Sequence, residues 1–110
     1  MKGTNLGELE EVVLLIVAAL SPKAYGFAVK ENLDERTGRY ANLSAIHACL
    51  YRLEKKGFLE SEFGEATKKR GGKSKKYFSL TSEGMAAIVE AKKIRNNLWD
   101  EISLSVIKAT

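Results

Sequence analysis

The apolar residues near the start of the chain recur at the three- and four-residue spacing of an amphipathic helix. They are Leu9, Val12, Val13, Ile16 and Leu20. We predict a first helix over roughly 6–20, opened by an N-cap at Asn5 with Glu8 three residues later. Leu14, Leu15 and Val17 make the other side of this helix apolar as well. A helix that is apolar nearly all round must be covered on two faces, and in so short a chain we expect a second subunit to supply one cover.

Two more helices are predicted before the spacing of the apolar residues changes from that of a helix to that of a strand. Pro22 ends the first helix, and the second runs over roughly 25–36 and stops at Gly38. Its expected buried residues are Phe27, Val29 and Leu33. The third helix opens near Asn42 or Ser44 and runs to about Lys56, with Gly57 at its end. One face of it carries Ile46, Cys49, Leu50 and Leu53, and the opposite face carries Ser44, His47, Ala48, Tyr51, Arg52 and Lys55.

The second half of the chain predicts two strands and a long helix. Residues 58–63 and 75–80 are typical of short strands, and 64–74 between them form a loop too long for a tight hairpin turn. Thr81 is the predicted N-cap of a last helix that extends almost to the C-terminus. Its apolar stripe is Ile88, Ala91, Ile94, Leu98, Ile102 and Val106, broadened by Trp99, Leu104 and Ile107.

This order of elements is that of a mainly α, winged helix-turn-helix protein. We expect 1–81 to form the winged helix-turn-helix with its two-stranded β-wing, and 82–110 to form a C-terminal dimerisation helix, the two making one continuous structural unit. The chain length of 110 residues suits a single domain, and 45% hydrophobic residues exclude a disordered chain.

Composition narrows the class of protein further. The lone Cys49 excludes an internal disulfide, and the sequence lacks a four-ligand Cys/His set for structural zinc, so we expect no cofactor. The longest apolar run has nine residues, about half of the ~18 that span a bilayer. With no segment typical of a signal peptide at its start, the chain is expected to be cytoplasmic and without a membrane partner. One His and no nucleophile–base pair at a usable spacing argue against an enzyme.

The positive charge is concentrated in one segment. The net charge is +4, yet residues 64–76 alone carry six cations against the single carboxylate of Glu65. The cations are Lys68, Lys69, Arg70, Lys73, Lys75 and Lys76. A positive field of this kind next to a helix-turn-helix pattern indicates a nucleic-acid partner rather than a merely solvated loop.

Six segments resemble the PadR-like transcriptional regulators, in the correct order over about residues 6–90. They are LLIVAAL at 14–20, AYGFAV at 24–29, ERTG at 35–38, LYRLEKKGFL at 50–59, GGK at 71–73 and KYFSLTSEG at 76–84. The resemblance implies a dimeric bacterial transcription factor, usually a repressor, whose last helix packs with the partner's first helix. Ser44 and His47 stand where the family commonly has Gly and Tyr. The resemblance gives that Tyr a place near the DNA backbone, a role that passes to His47.

We therefore predict an interface with a pseudo-palindromic double-stranded DNA operator. The third helix can lie in the major groove and the basic loop can reach phosphates or the minor groove. The predicted DNA contacts are Ser44, Ala45, His47, Tyr51, Lys68, Lys69, Arg70, Lys73 and Lys75. The alternative is a winged-helix module that binds protein or RNA. Single-stranded RNA binders stack bases on exposed rings, and only Tyr51 and Tyr40 are available here.

Several residues have more than one interpretation. His47 is a DNA-facing donor, a surface residue without a role, or a pH-sensitive group. Cys49 is a buried core residue or a redox sensor. Arg52 is an ion-pair partner of Glu54 or a phosphate contact, and Gly26 is a packing or turn position.

The last helix leaves a second question open, the role of Trp99. This residue either fills a homodimer core or stacks on a small planar effector at the dimer centre. The residues expected at this dimer surface or ligand pocket are Leu9, Val13, Ile94, Leu98, Trp99 and Ile102.

Overall fold

A computed structural model describes residues 6–64, 75–102 and 106 of the chain. In this part of the chain, four helices and two strands follow the predicted order, mainly helical with a two-stranded sheet. The helices are α1 (Glu8–Leu20), α2 (Gly26–Thr37), α3 (Leu43–Lys55) and α4 (Ser82–Asp100), and the strands are β1 (Leu59–Phe63) and β2 (Lys76–Leu80).

The start of α1 differs from the prediction. The N-cap is Gly7, and its backbone N–H donates a hydrogen bond to Oε1 of Glu10 at 3.0 Å. The helix therefore begins two residues later than expected, because the carboxylate that reaches back to the cap belongs to Glu10 rather than Glu8. Asn5, the predicted cap, lies outside the described residues.

The ends of α2 and α3 follow the sequence signals. Gly38, with a φ of 71°, is the C-cap of α2, and Gly57, with a φ of 89°, lies just beyond the end of α3. The N-cap of α3 is Asn42, whose side-chain oxygen accepts a hydrogen bond from Ala45 N–H at 2.8 Å.

The prediction that Phe27 is buried was wrong, since this residue is 50% exposed. Val29 and Leu33 form the buried stripe of α2, and Phe27 lies about 200° round the helix from Val29.

The helix α1 lies at the centre of the core, in contact with α2, α3, α4 and β2. Both of its predicted apolar sides are buried, with Val13, Leu14 and Val17 fully inaccessible to solvent. Both apolar sides of α1 are therefore covered largely by other elements of the same chain. This corrects the expectation that a second subunit covers one of them. The exception is Leu15, which is 49% exposed. The rest of the core consists of Ile16, Ala24, Val29, Leu33, Ile46, Cys49, Leu50, Leu53, Leu59, Phe78 and Ile88.

The two strands pair in antiparallel fashion, and the middle residue of β2, Phe78, attaches them to the helical core. Leu59 pairs with Leu80, Ser61 with Phe78, and Phe63 with Lys76. On the far side of β2, Phe78 N–H donates a hydrogen bond to the carbonyl of Ala24 at 2.8 Å. This bridge fixes β2 to the segment that enters α2. The wing is thus hydrogen-bonded directly to the helix-turn-helix.

Helix α4 is buried only over its first half. Thr81 caps it, its hydroxyl accepting a hydrogen bond from Gly84 N–H at 3.0 Å, as predicted. Ala87, Ile88 and Ala91 are buried, whereas residues 92–100 are exposed. None of the helices in the described ranges has both the length and the apolar character that crossing a bilayer requires.

Candidate nucleic-acid interface

The outward face of α3 carries the residues predicted to contact DNA. Ser44, Ala45, His47 and Tyr51 are all exposed, whereas Ile46, Cys49, Leu50 and Leu53 on the opposite face are completely buried. This division gives α3 one face fixed to the core and one face of small polar and aromatic side chains. A helix presented in this way has the dimensions that the major groove of B-DNA admits.

His47 also makes a contact that the sequence did not identify. A Cβ placed on Gly26, the first residue of α2, would overlap Nε2 and Cδ2 of the imidazole. On its other side the ring of His47 lies 6.4 Å from the ring of Tyr51, centroid to centroid. The packing interpretation of Gly26 is therefore the one that the geometry supports, and His47 lies between α2 and Tyr51.

The side chain of Tyr51, on α3, contacts the wing. Its ring meets Phe78 of β2 edge-on, with centroids 6.5 Å apart and planes at 61°. Nζ of Lys76 lies 4.6 Å from the centroid of the same ring. The Tyr51 ring is nevertheless 52% exposed, so it can contact a ligand placed along α3.

A second aromatic group at the base of the wing was not predicted from the sequence. Tyr25 and Tyr77 meet edge-on at 5.9 Å, and Nζ of Lys75 lies 3.8 Å above the centroid of Tyr25. Lys75 is thus positioned over an aromatic face, an arrangement that stabilises a cation. The signal that could have found it is the alternation along β2, which places Tyr77 next to two lysines.

The basic loop itself lies outside the described residues, and with it Lys68, Lys69, Arg70 and Lys73. The described ranges resume at Lys75. There the carbonyl of Lys75 accepts a hydrogen bond from Gly64 N–H at 2.8 Å, which closes the base of the wing. Lys75 approaches the exposed face of α3 through the start of α2, because it lies over Tyr25 and the next residue, Gly26, contacts His47.

Arg52 pairs with a different carboxylate from the one expected. Its Nε lies 3.2 Å from Oε2 of Glu10 on α1, and Nζ of Lys56 lies 2.9 Å from Oε1 of the same residue. Burial of Glu10 raises the pKa of its carboxyl group, but hydrogen bonds from Gly7, Lys56 and Arg52 outweigh this and hold the pKa below its ordinary value. The expected partner, Glu54, instead contacts Ser61 and Lys76.

Cys49 lies on the core face of α3 and is fully buried. Burial is the main influence on its thiol and raises the pKa above the ordinary value, which disfavours the reactive thiolate. In the described ranges, no group of three His, Cys, Asp or Glu side chains is placed to hold a metal ion.

The predicted dimer surface is only partly exposed. Ile94, Leu98, Trp99 and Ile102 present side chains to solvent, with Trp99 64% exposed. Leu9 is partly buried, and Val13 is fully buried in the core of its own chain, so Val13 offers no surface to a partner. An open groove of about 600 Å³ is lined by Arg95, Asn96, Leu98, Trp99 and Ile102.

Arg95 in this groove is fixed to α1. Its guanidinium donates hydrogen bonds to both carboxylate oxygens of Glu11, at 2.8 and 3.0 Å. The guanidinium is charged at every physiological pH, and the hydrogen bonds to Glu11 raise the pKa of Arg95 further. The groove thus combines an apolar wall with one fixed cation.

Three helices, an antiparallel hairpin attached beside the third helix and a further helix define a winged helix-turn-helix protein. The model of the Transcriptional regulator PadR-like family matches residues 13–90. The chain belongs to this family and is a DNA-binding transcriptional regulator.

Solved structures of similar fold agree with this assignment. A PadR family transcriptional regulator from Eggerthella lenta is 29% identical, with a TM-score of 0.66 over 84% of this chain and 80% of that one. A PadR-like transcription factor from Bacteroides fragilis has a TM-score of 0.72 at 22% identity, over 93% of this chain and 89% of that one. Bacillus subtilis PadR in complex with operator DNA has a TM-score of 0.62 at 22% identity, over 74% of this chain and 44% of that one.

Proposed function

We propose that the protein is a homodimeric, cytoplasmic repressor that binds a pseudo-palindromic operator through α3 and the wing of each subunit. The observation that carries the proposal is that Ser44, His47 and Tyr51 share the exposed face of α3, while Lys75 at the base of the wing lies over Tyr25, the neighbour of the Gly26 that His47 contacts. The fold is shared with a Bacillus subtilis PadR protein that was solved in complex with operator DNA, which supports operator binding by a protein of this fold.

Each part of this surface has a distinct task. Ser44, Ala45 and His47 contact base edges or the nearby sugar-phosphate backbone, because the first turns of a recognition helix approach the groove floor. Lys68, Lys69, Arg70, Lys73 and Lys75 neutralise phosphates. Two α3 helices related by a two-fold axis would read half-sites about one DNA turn, or ~34–36 Å, apart.

The proposed homodimer forms through the exposed apolar part of α4. Ile94 and Leu98 lie on one side of this helix, Ile102 follows just beyond its end, and Trp99 extends the apolar area. Four large apolar side chains in one stretch of surface are typical of an interaction site. In the dimer, Trp99 and Arg95 would also border a pocket suited to a small planar effector.

The test of DNA binding is selection of bound fragments from randomised or genomic DNA, followed by measurement of the dissociation constant of the selected site as salt is raised. We expect a pseudo-palindromic site whose affinity falls steeply with salt. Recovery of no common sequence, or tighter binding to single-stranded RNA of the same length, would overturn the proposal.

The role of the wing is tested by the double variant Lys69→Gln, Arg70→Gln. It should weaken binding to all duplexes and reduce the salt slope by about two, one for each phosphate that is no longer neutralised. The matched control, Lys92→Gln with Lys93→Gln, removes the same charge from the exposed part of α4 and should leave the slope unchanged. Sedimentation of every variant confirms that the assembly state is the same. Unchanged operator binding by the wing variant would show that the wing assignment is wrong.

The effector proposal is tested with the fluorescence of Trp99, the one tryptophan of the chain. Titration with a panel of planar aromatic compounds, including aromatic carboxylates, should quench the emission and release the operator. A Trp99→Leu variant should keep operator affinity, but the compounds should no longer release labelled operator from it, as measured by fluorescence anisotropy of the DNA label. Absence of any response across the panel would refute an effector site at this position.

A further inference from the structure

Two adjacent lysines at the start of the second strand face different partners. Nζ of Lys75 lies over Tyr25, near the segment that enters α2. Nζ of Lys76 is directed to the opposite side, where it lies 4.6 Å from the ring centroid of Tyr51 and 5.5 Å from that of Phe78. Side chains alternate in this way along a strand. The two cations therefore lie in different surroundings.

The charge of Lys76 is balanced within the chain. Its Nζ lies 3.6 Å from Oε1 of Glu54 on α3, and the other oxygen of Glu54 accepts a hydrogen bond from the hydroxyl of Ser61 on β1 at 2.6 Å. Glu54, Ser61 and Lys76 thus connect α3 with both strands of the wing. Among the described residues, no carboxylate lies within 4 Å of Nζ of Lys75, so Lys75 lacks a comparable partner there.

The ring of Tyr51 depends on this connection for its orientation. The ring is half-exposed on the reading face of α3, and its contacts in this direction are the edge of Phe78 and the ammonium group of Lys76. A cation over a ring attracts it through the ring quadrupole, which restricts the side-chain torsions of Tyr51. Without Lys76, Glu54 would lose its ion pair with β2 and keep only the hydrogen bond from Ser61 on β1.

We propose that Lys76 is a positioning residue that orients Tyr51 and fixes the wing to α3, so that it supports discrimination between DNA sequences rather than attraction to phosphates. This inference rests on the proposed binding of duplex DNA by α3 and the wing. It separates Lys76 from the other cations of 64–76, because a lysine already paired with Glu54 releases no counterion from the duplex.

The experiment compares Lys76→Gln with Lys75→Gln, which removes one positive charge from the neighbouring residue. Affinities for the selected operator and for an unrelated duplex of equal length are measured between 50 and 200 mM salt, about the range over which phosphate contacts dominate. For Lys76→Gln we expect the ratio of specific to non-specific affinity to fall about fivefold or more with an unchanged salt slope. For Lys75→Gln we expect both affinities to fall and the slope to decrease by about one.

Two further variants distinguish positioning from a general loss of structure. Lys76→Arg keeps a cation for Glu54 and Tyr51 and should restore most of the affinity ratio. Tyr51→Leu should lower the ratio in the wild-type background but add little in the Lys76→Gln background, since the two changes remove the same interaction.

Clear results would overturn the inference. A slope reduced by about one in Lys76→Gln, with the affinity ratio intact, would make Lys76 a phosphate contact. An unchanged ratio and slope would show that it positions nothing. If wild-type protein itself prefers no duplex, the proposed function fails together with this inference, and that outcome is recognised before any variant is made.

Discussion

The imidazole of His47 on α3 packs directly on Gly26, the first residue of α2, and fills the space that a side chain at position 26 would need. The same ring is exposed on the face of α3 that we propose to contact DNA. The spacing of α2 and α3 and the orientation of a candidate DNA contact are therefore set by one pair of residues.

The first prediction concerns this pair. Gly26→Ala should displace His47 and weaken operator binding about fivefold or more, while the free energy of unfolding changes by less than about 1 kcal/mol, because the overlapping atoms are the end of a side chain that can rotate away. Fluorescence anisotropy with labelled operator and urea unfolding measure the two effects. In a His47→Ala background, Gly26→Ala should have no further effect on binding. An equal loss in both backgrounds would contradict the proposed link.

The second prediction concerns Glu10, the one buried charged residue among those that the structure describes. Glu10→Gln should lower the free energy of unfolding at pH 7 by about 1–2 kcal/mol, since charge-assisted hydrogen bonds to Gly7, Arg52 and Lys56 are weakened. Urea unfolding at pH 7 measures the change. Glu62→Gln, on the exposed side of β1, is the control and should have little effect.

The dependence of this difference on pH has a definite sign. Because the pKa of Glu10 is lower in the folded chain than its ordinary value, the ionised carboxylate stabilises the fold above the unfolded pKa of about 4.3. That stabilisation disappears as the pH falls through the folded pKa. The difference between wild type and Glu10→Gln should therefore be full near neutral pH and decrease in acid below about pH 4.3. A difference that grows in acid would contradict the assigned ion pairs.

The third prediction concerns Cys49. Because the thiol is fully buried and its pKa is raised, it should react with a thiol reagent at pH 8 on the order of 100-fold more slowly in the native protein than in urea. Absorbance at the wavelength of the released chromophore follows the reaction. Rapid stoichiometric modification of the native protein would favour the redox-sensor interpretation instead.

The fourth prediction concerns the apolar side of α4. Leu98 is 62% exposed, so Leu98→Asp should change the stability of the single chain by less than about 1 kcal/mol but prevent homodimer formation. Sedimentation equilibrium should then give the mass of one chain. Asp100→Ala, about 200° round the same helix, is the control and should remain dimeric. Dimers of unchanged stability in Leu98→Asp would exclude this surface as the interface.

Local patterns were sufficient for the order of the elements and for the approximate bounds of all but α4, which ends at Asp100 instead of continuing almost to the C-terminus as predicted. The three- and four-residue spacing of Ile46, Cys49, Leu50 and Leu53 predicted the buried face of α3, and all four are fully buried. The left-handed conformation of Gly38 and the cap at Thr81 were also predictable, because each depends on residues within one turn. The exposed side of α3 follows from the same periodicity.

Contacts between distant parts of the chain were not predictable in this way. The partner of Arg52 is Glu10, 42 positions away, whereas Glu54, two positions away, looked equally suitable in the sequence. The prediction for Phe27 was wrong because the buried stripe of α2 is narrow and Phe27 lies outside it. Val13 was assigned to a dimer surface because the sequence of α1 does not say which of its apolar sides the same chain covers.

The sequence by itself determined the fold class, the family and the concentration of charge in one segment. These follow from the periodicity of apolar residues, the order of the motifs and the local composition, respectively. The tertiary structure decided which side chains meet: His47 with Gly26, Lys76 with Tyr51 and Glu54, and Glu10 with Arg52 and Lys56. Such pairs depend on how helices and strands pack. Packing is fixed by the shape of the whole core, which no local pattern contains.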